Sequence, residues 1–202
     1  KRARLMALTS SADRATALRQ AGITPLAGNL DHAVSLQRLA GLATRIIHLA
    51  PPPAHGPADG RDDHRTRALL QSLARRSPPV TLVYGSTTGV YGDRQGAWIS
   101  ESSSVQPRTP RAWRRVDAER WVHAYGRASG ARTTALRIPG IYAPDREGGT
   151  PLERLQRGTP VLQAEDDVYT NHIHADDLGR ACALAVWRAR PRRNLNVVDD
   201  TE

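Results

Sequence analysis

Phenylalanine is absent from this chain, and cysteine, methionine and lysine each occur once in its 202 residues. With Cys182 alone, no disulfide can close within the chain, so an apolar core has to hold the fold. Ala181, Ala183 and Leu184 mark Cys182 as a buried helical thiol, and a chain without internal disulfides suits the cytoplasm. No apolar run approaches the roughly 18 residues of a membrane span, so no membrane partner is expected. The opening Lys1-Arg2-Ala3-Arg4-Leu5-Met6-Ala7-Leu8 has too short an apolar stretch for a secretory signal. Because Lys1 is the only lysine, the formal charge of +9 rests almost wholly on arginine. Those arginines are scattered over every segment, and no basic stretch alternates with aromatics as a stacking surface would require. Specific nucleic-acid binding is therefore not expected, whereas attraction to a small anionic ligand is.

What is present is an alternation of short apolar runs with helical periodicity. Strands are predicted over Leu5–Leu8, Ile23–Ala27, Arg45–Ala50, Val80–Tyr84, Thr133–Ile138, Val168–His174 and Leu195–Val198. Helices are predicted over Ser11–Ala21, Asp62–Arg76, Pro110–Ser129, Pro151–Arg157 and Asp176–Arg188. A further helix carries Val34, Leu36, Leu39 and Leu42, with Asp31 as its cap; Asp176 is read as the cap of the helix that follows it. Pro51–Gly60 and Pro139–Thr150 read as irregular loops. Strands alternating with helices imply parallel βαβ units in an α/β, Rossmann-like doubly wound sheet, where ligands bind beyond the carboxyl ends of the strands.

The residues at those ends carry a resemblance. Gly28-Asn29-Leu30-Asp31 resembles the Gly-Asp-Leu/Val segment of the extended and atypical short-chain dehydrogenases, the NAD-dependent epimerase/dehydratase family. His48-Leu49-Ala50 is similar to its His-Leu-Ala, and Ser86-Thr87-Thr88-Gly89-Val90-Tyr91-Gly92 to its Ser-Ser-x-x-Val-Tyr-Gly. Arg137-Ile138-Pro139-Gly140-Ile141-Tyr142-Ala143-Pro144 resembles its Arg-x-x-x-x-Tyr-Gly-Pro loop, and Asn171-His172-Ile173-His174-Ala175-Asp176-Asp177 its Phe/His-Ile-His-Val-x-Asp segment before a helix. The family opens with a strand and a glycine-rich turn that holds a pyrophosphate, and no such turn is seen here. The chain is expected to be one dinucleotide-binding domain over 1–202, cut at both ends, with 139–175 contributing to a small partial substrate lobe.

The resemblance implies NAD or NADP as cofactor and a small-molecule substrate, such as a nucleotide sugar or another hydroxyl or carbonyl metabolite. It implies cofactor contacts at Ser10, Asn29, Leu30, Leu49, Ala50, Ser86, Arg115 and Pro139, and substrate contacts at Tyr91, Gly140, Ile141, Tyr142 and His172. In the family, a Tyr acts as acid and base, a Lys one turn later lowers its pKa, and a hydroxyl positions the substrate oxygen. Thr87 supplies that hydroxyl. In the Pro-Tyr-x-x-x-Lys-x-x-x-Glu register, however, Arg111 stands at the Tyr and Arg115 at the Lys. Arg115 can donate to a ribose, but a guanidinium stays protonated and Arg111 cannot do a phenol's work. Tyr91 or Tyr142 would have to replace it, so a non-catalytic NAD(P)-binding sensor on the same fold is the alternative reading. The segment Thr9-Ser10-Ser11 has no acid before Asp13 and has Arg14 close behind, which leans towards NADP. His172 and His174 share a strand face, but no third ligand cluster accompanies them, and no metal is expected. Gly85-Ser86-Thr87-Thr88-Gly89 places Thr, not Ser, where a hydrolase nucleophile would stand. A homodimer remains open for a full-length protein.

Overall fold

The computed structural model describes residues 3–53, 60–145, 148–150, 152–161, 163, 165 and 170–199. Strand β1 (Met6–Thr9) leads through helix α1 (Ala12–Gln20) to β2 (Thr24–Ala27), which pairs with β1 in parallel. Ser11 caps α1 by accepting a hydrogen bond from Arg14 N, and Gly22 takes the left-handed conformation that ends the helix (φ 74°). The predicted helix beyond Asp31 is a 3₁₀ turn, Ala33–Leu39, whose first residue is preceded by His32 without a side-chain cap. Asp31 does not cap it because its carboxylate is held by Arg65 instead.

The central sheet begins with β3 (Arg45–His48), crosses through α2 (His64–Leu73) to β4 (Thr81–Thr87), and crosses again through α3 (Pro110–Ser129) to β5 (Arg132–Ile138). A short β6 (Gly140–Tyr142) interrupts the loop expected after Pro139; it exists because it pairs with β7 (His172–His174). Between them lies α4 (Leu152–Gln156); the expected Pro at its start and the expected strand residues 168–169 lie outside the described residues. Helix α5 (Ala175–Arg188) returns the chain to β8 (Arg193–Asn196). Its cap is His174, which accepts from Asp176 N, so Asp176 sits in the first turn rather than at the cap.

The four strands run in the order β3-β4-β5-β8, all parallel. Successive residues of β4 point to opposite faces. Leu82 and Tyr84 pack with Leu69, Leu70 and Leu73 of α2 and Val122 of α3, while Val83 packs with Leu178, Cys182 and Val186 of α5. Helices therefore cover both faces, which is the doubly wound arrangement and explains the unbroken apolar run of the central strands. Local sequence accounts for α3: Thr109 accepts from Ala112 N, Pro110 fills the first turn, and Gly130 closes it at φ 74°.

Candidate cofactor site at the strand ends

The carboxyl ends of β1, β2 and β3 open onto one cavity of about 870 Å³. Thr9, Ser10 and Ser11 line it from β1, Gly28 to Asp31 from β2, and Ala50 from β3. The loop after β2 is tightly built. Asn29 N donates to Ser35 Oγ (2.9 Å), and Asn29 Oδ1 accepts from Asp31 N (2.9 Å), a local turn that Asn favours. A Cβ on Gly28 would lie 2.8 Å from Leu8 Cδ1, so glycine lets this loop lie against β1. Helix α1 contributes Arg14, whose guanidinium makes no ion pair among the described residues.

The same cavity is bordered by an ion pair that ties its walls together. Arg65 grips Asp31 through Nε and Nη2, both at 2.6 Å, and donates from Nη1 to the Pro51 carbonyl (3.2 Å). The Arg65 hydrogen bonds, with His64 adding to them, hold the Asp31 carboxyl down at about 2. The sequence does not show this clamp, because its partners lie 34 residues apart and Arg65 belongs to no strand-end motif.

Beneath the ends of β4 and β5 lies a buried polar network. Arg137 donates from Nε and Nη2 to the two oxygens of Glu119 (3.1 and 2.8 Å) and from Nη1 to the Tyr91 hydroxyl (2.8 Å). That hydroxyl donates onward to Asn196 Oδ1 (2.8 Å), and Ser86 Oγ donates to Glu119 Oε1 (2.5 Å). Ser86 and Tyr91, read from the sequence as ligand-facing, thus spend their hydroxyls inside the core, with Tyr91 only 1% exposed. Arg115 is turned the same way. It is buried, donating from Nη1 to the Gly85 carbonyl (2.5 Å) and the Tyr84 hydroxyl (3.1 Å), rather than reaching into open space. Burial pushes the Tyr84 phenol well above its usual range, so Tyr84 is no acid-base substitute. Arg111 is exposed on the first turn of α3. Thr87 is half-buried at the end of β4, its Oγ1 accepting from Gly89 N (3.2 Å).

The other expected residues fall in two places. Leu49, about half exposed, packs against Gly85, and Pro139 is half-buried at the end of β5; neither lines the cavity. Gly140, Ile141 and Tyr142 form β6 beside His172 of β7, where a Cβ on Gly140 would meet the His172 ring at 2.8 Å. A hydrogen bond to the Asp199 carboxylate raises the Tyr142 phenol, and the His174 ring meets Tyr142 edge-on at 5.2 Å. Among the described residues, no three His, Cys, Asp or Glu side chains come together as a metal site.

A profile of the family described as "NAD dependent epimerase/dehydratase family" matches residues 1–197. The chain belongs to that family. Among curated relatives it is 30% identical over 117 residues to the uncharacterized UDP-glucose epimerase YtcB of Bacillus subtilis strain 168, covering 54% of this chain and 37% of that protein. It is 27% identical over 156 residues to Protein YeeZ of Escherichia coli K12, covering 77% of this chain and 53% of that one. Its fold is similar to dTDP-glucose 4,6-dehydratase DesIV of Streptomyces venezuelae, solved with NAD and DAU (TM-score 0.75, 24% identity, 96% of this chain and 66% of that one). It is also similar to RMD of Pseudomonas aeruginosa, solved with NADPH (TM-score 0.71, 22% identity, 98% of this chain and 77% of that one). The chain spans about half or less of the length of these curated relatives.

For an epimerase/dehydratase-family chain, the strand-end cavity fits the adenosine end of a dinucleotide: it is apolar at Leu8, Ala17 and Leu30, hydroxyl-bearing at Thr9 and Ser10, and cationic at Arg14. At the two positions where the sequence resemblance implies a Tyr and a Lys, the chain offers no phenol chemistry: Arg111 has no phenol, and Arg115 donates to the Gly85 carbonyl of β4.

Proposed function

We propose that this chain forms the NAD(P)-binding part of a protein that oxidises, epimerises or dehydrates a nucleotide sugar or a related hydroxyl or carbonyl metabolite. The observation that carries the reading is the cavity where the ends of β1, β2 and β3 meet. Thr9, Ser10, Asn29, Leu30 and Ala50 would hold the adenosine end. The cofactor would supply hydride transfer; Thr87 would orient a substrate hydroxyl beside β4, and β6 with His172 would form the substrate wall. Arg14, with no carboxylate at the end of β1 to compete with it, favours NADP over NAD. Calorimetric titration of the protein with NADP⁺ and NAD⁺ tests this: binding with a preference for NADP⁺ is expected, and no binding of either sinks the reading.

The placement of Arg111, Arg115 and Tyr91 favours a second reading, a dinucleotide sensor without hydride chemistry. Of the two tyrosines considered in place of the absent phenol, Tyr91 has its hydroxyl shared between Arg137 and Asn196. Assays with a panel of nucleotide sugars and aldehydes separate the two: cofactor binding without turnover favours the sensor.

A further inference from the structure

The cavity has two arginines on its wall, and they are not equivalent. Arg14 has no acidic partner among the described residues. Arg65 has one, Asp31, gripped side-on through Nε and Nη2. A guanidinium carries five N–H groups. Asp31 takes two and the Pro51 carbonyl a third, which leaves one hydrogen on each terminal nitrogen. The Arg65 side chain is 24% exposed and Asp31 36%, so the pair is reachable from the cavity it borders.

We infer that Arg65 is a second anion-holding side chain at the adenosine end of this cavity, and that Asp31 sets how strongly it acts. The ligand group it would take is a phosphomonoester on the ribose, held between Arg14 and Arg65. This rests on the cofactor reading above and goes beyond it in naming the regulator of the phosphate subsite. Two consequences follow from the charges. The Asp31 carboxylate competes with the phosphate for the same guanidinium, so the wild-type chain holds a ribose phosphate less tightly than its two arginines alone would. The clamp also spans the loops after β2 and β3, so a phosphate that draws on Arg65 acts on both walls at once.

The experiment compares 2′,5′-ADP with 5′-AMP, which differ only by the ribose 2′-phosphate and need neither a pyrophosphate cradle nor a nicotinamide pocket. Dissociation constants are measured by calorimetry for the wild-type protein and for Asp31→Asn, Arg65→Ala, Arg65→Lys and Arg14→Ala. Asp31→Asn is expected to raise the preference for 2′,5′-ADP over 5′-AMP by about tenfold, the scale of one charge-assisted contact. Arg65→Ala and Arg14→Ala are each expected to weaken 2′,5′-ADP about tenfold more than they weaken 5′-AMP. Arg65→Lys, which keeps the charge without the fork, should fall between wild type and Arg65→Ala, and it carries the test if the alanine variant does not fold. If the Asp31 and Arg65 variants move both nucleotides by the same factor, the pair only braces the loops and the inference is overturned while the cofactor reading stands. If neither nucleotide binds the wild-type protein, the cofactor reading falls and takes the inference with it.

Discussion

His48 shows what burial does to a single side chain. It is 5% exposed, and its Nε2 lies 3.0 Å from Thr66 Oγ1. The Thr66 hydroxyl gives its own hydrogen to Asp63 Oδ2 (2.9 Å), so His48 must donate from Nε2 and Nδ1 carries no proton. Desolvation then drives the imidazole down to about 4, opposed by Asp63 and helped by the Arg115 charge. The unfolded chain takes up this proton at about 6.5, before the folded one does. The stabilisation is therefore full above that pH and is lost as the pH falls towards 4, by on the order of 3 kcal/mol. Urea midpoints measured between pH 7 and 4 should fall for the wild type, and should fall less steeply for His48→Gln.

Glu119 makes the complementary case for a buried charge. Its carboxylate is the counter-ion of Arg137, and both side chains are nearly inaccessible (6% and 4% exposed). Glu119→Gln leaves the guanidinium buried without its anion and is expected to cost roughly 3–5 kcal/mol in urea unfolding. Replacing both together, Glu119→Leu with Arg137→Met, should cost less than the two single changes summed. The sequence could not reveal this pair or the Asp31–Arg65 clamp, because each joins segments whose proximity only the tertiary fold creates. Nor could it reveal that Ser86 and Tyr91 turn their hydroxyls inward: the motif containing them names the strand end, not the direction of each side chain.

At the scale of elements, legibility followed locality. Helix α3 was readable to the residue because Thr109, Pro110 and Gly130 mark its ends by backbone preferences that need no partner. Strand β6 was not, because three residues between a proline and a loop become a strand only when β7 lies beside them. Packing between elements was equally hidden. Gly126 of α3 sits so near β5 that a Cβ there would lie 2.4 Å from Thr133 Oγ1 and 2.8 Å from its Cγ2. Gly126→Ala should therefore push the helix off the sheet and cost roughly 1–3 kcal/mol, against the small gain alanine brings to an exposed helix. Thr133→Ala in the same chain should recover much of that loss in chemical denaturation, since it removes the clashing atoms and a buried hydroxyl without a partner.

At the scale of the whole molecule, the two parallel sheets are unequal. The four-stranded sheet is packed on both faces, whereas the β1–β2 pair stands as a separate two-stranded sheet, and α1 over it buries none of its residues. A two-stranded sheet is marginal on its own. The strands whose ends form the cavity are thus the ones with the least core behind them. In native-state hydrogen exchange, the amides of α1 and β2 are expected to exchange through local opening, well before those of β4 and β5, which should wait for global unfolding. Equal protection in the two regions would show that they open as one unit. With local opening confined to α1 and β2, a nucleotide bound there would have to hold the site shut: saturating ligand should slow exchange most at Thr9 to Asn29 and least in the central strands. Part of the binding energy would be spent on ordering the site rather than appearing as affinity.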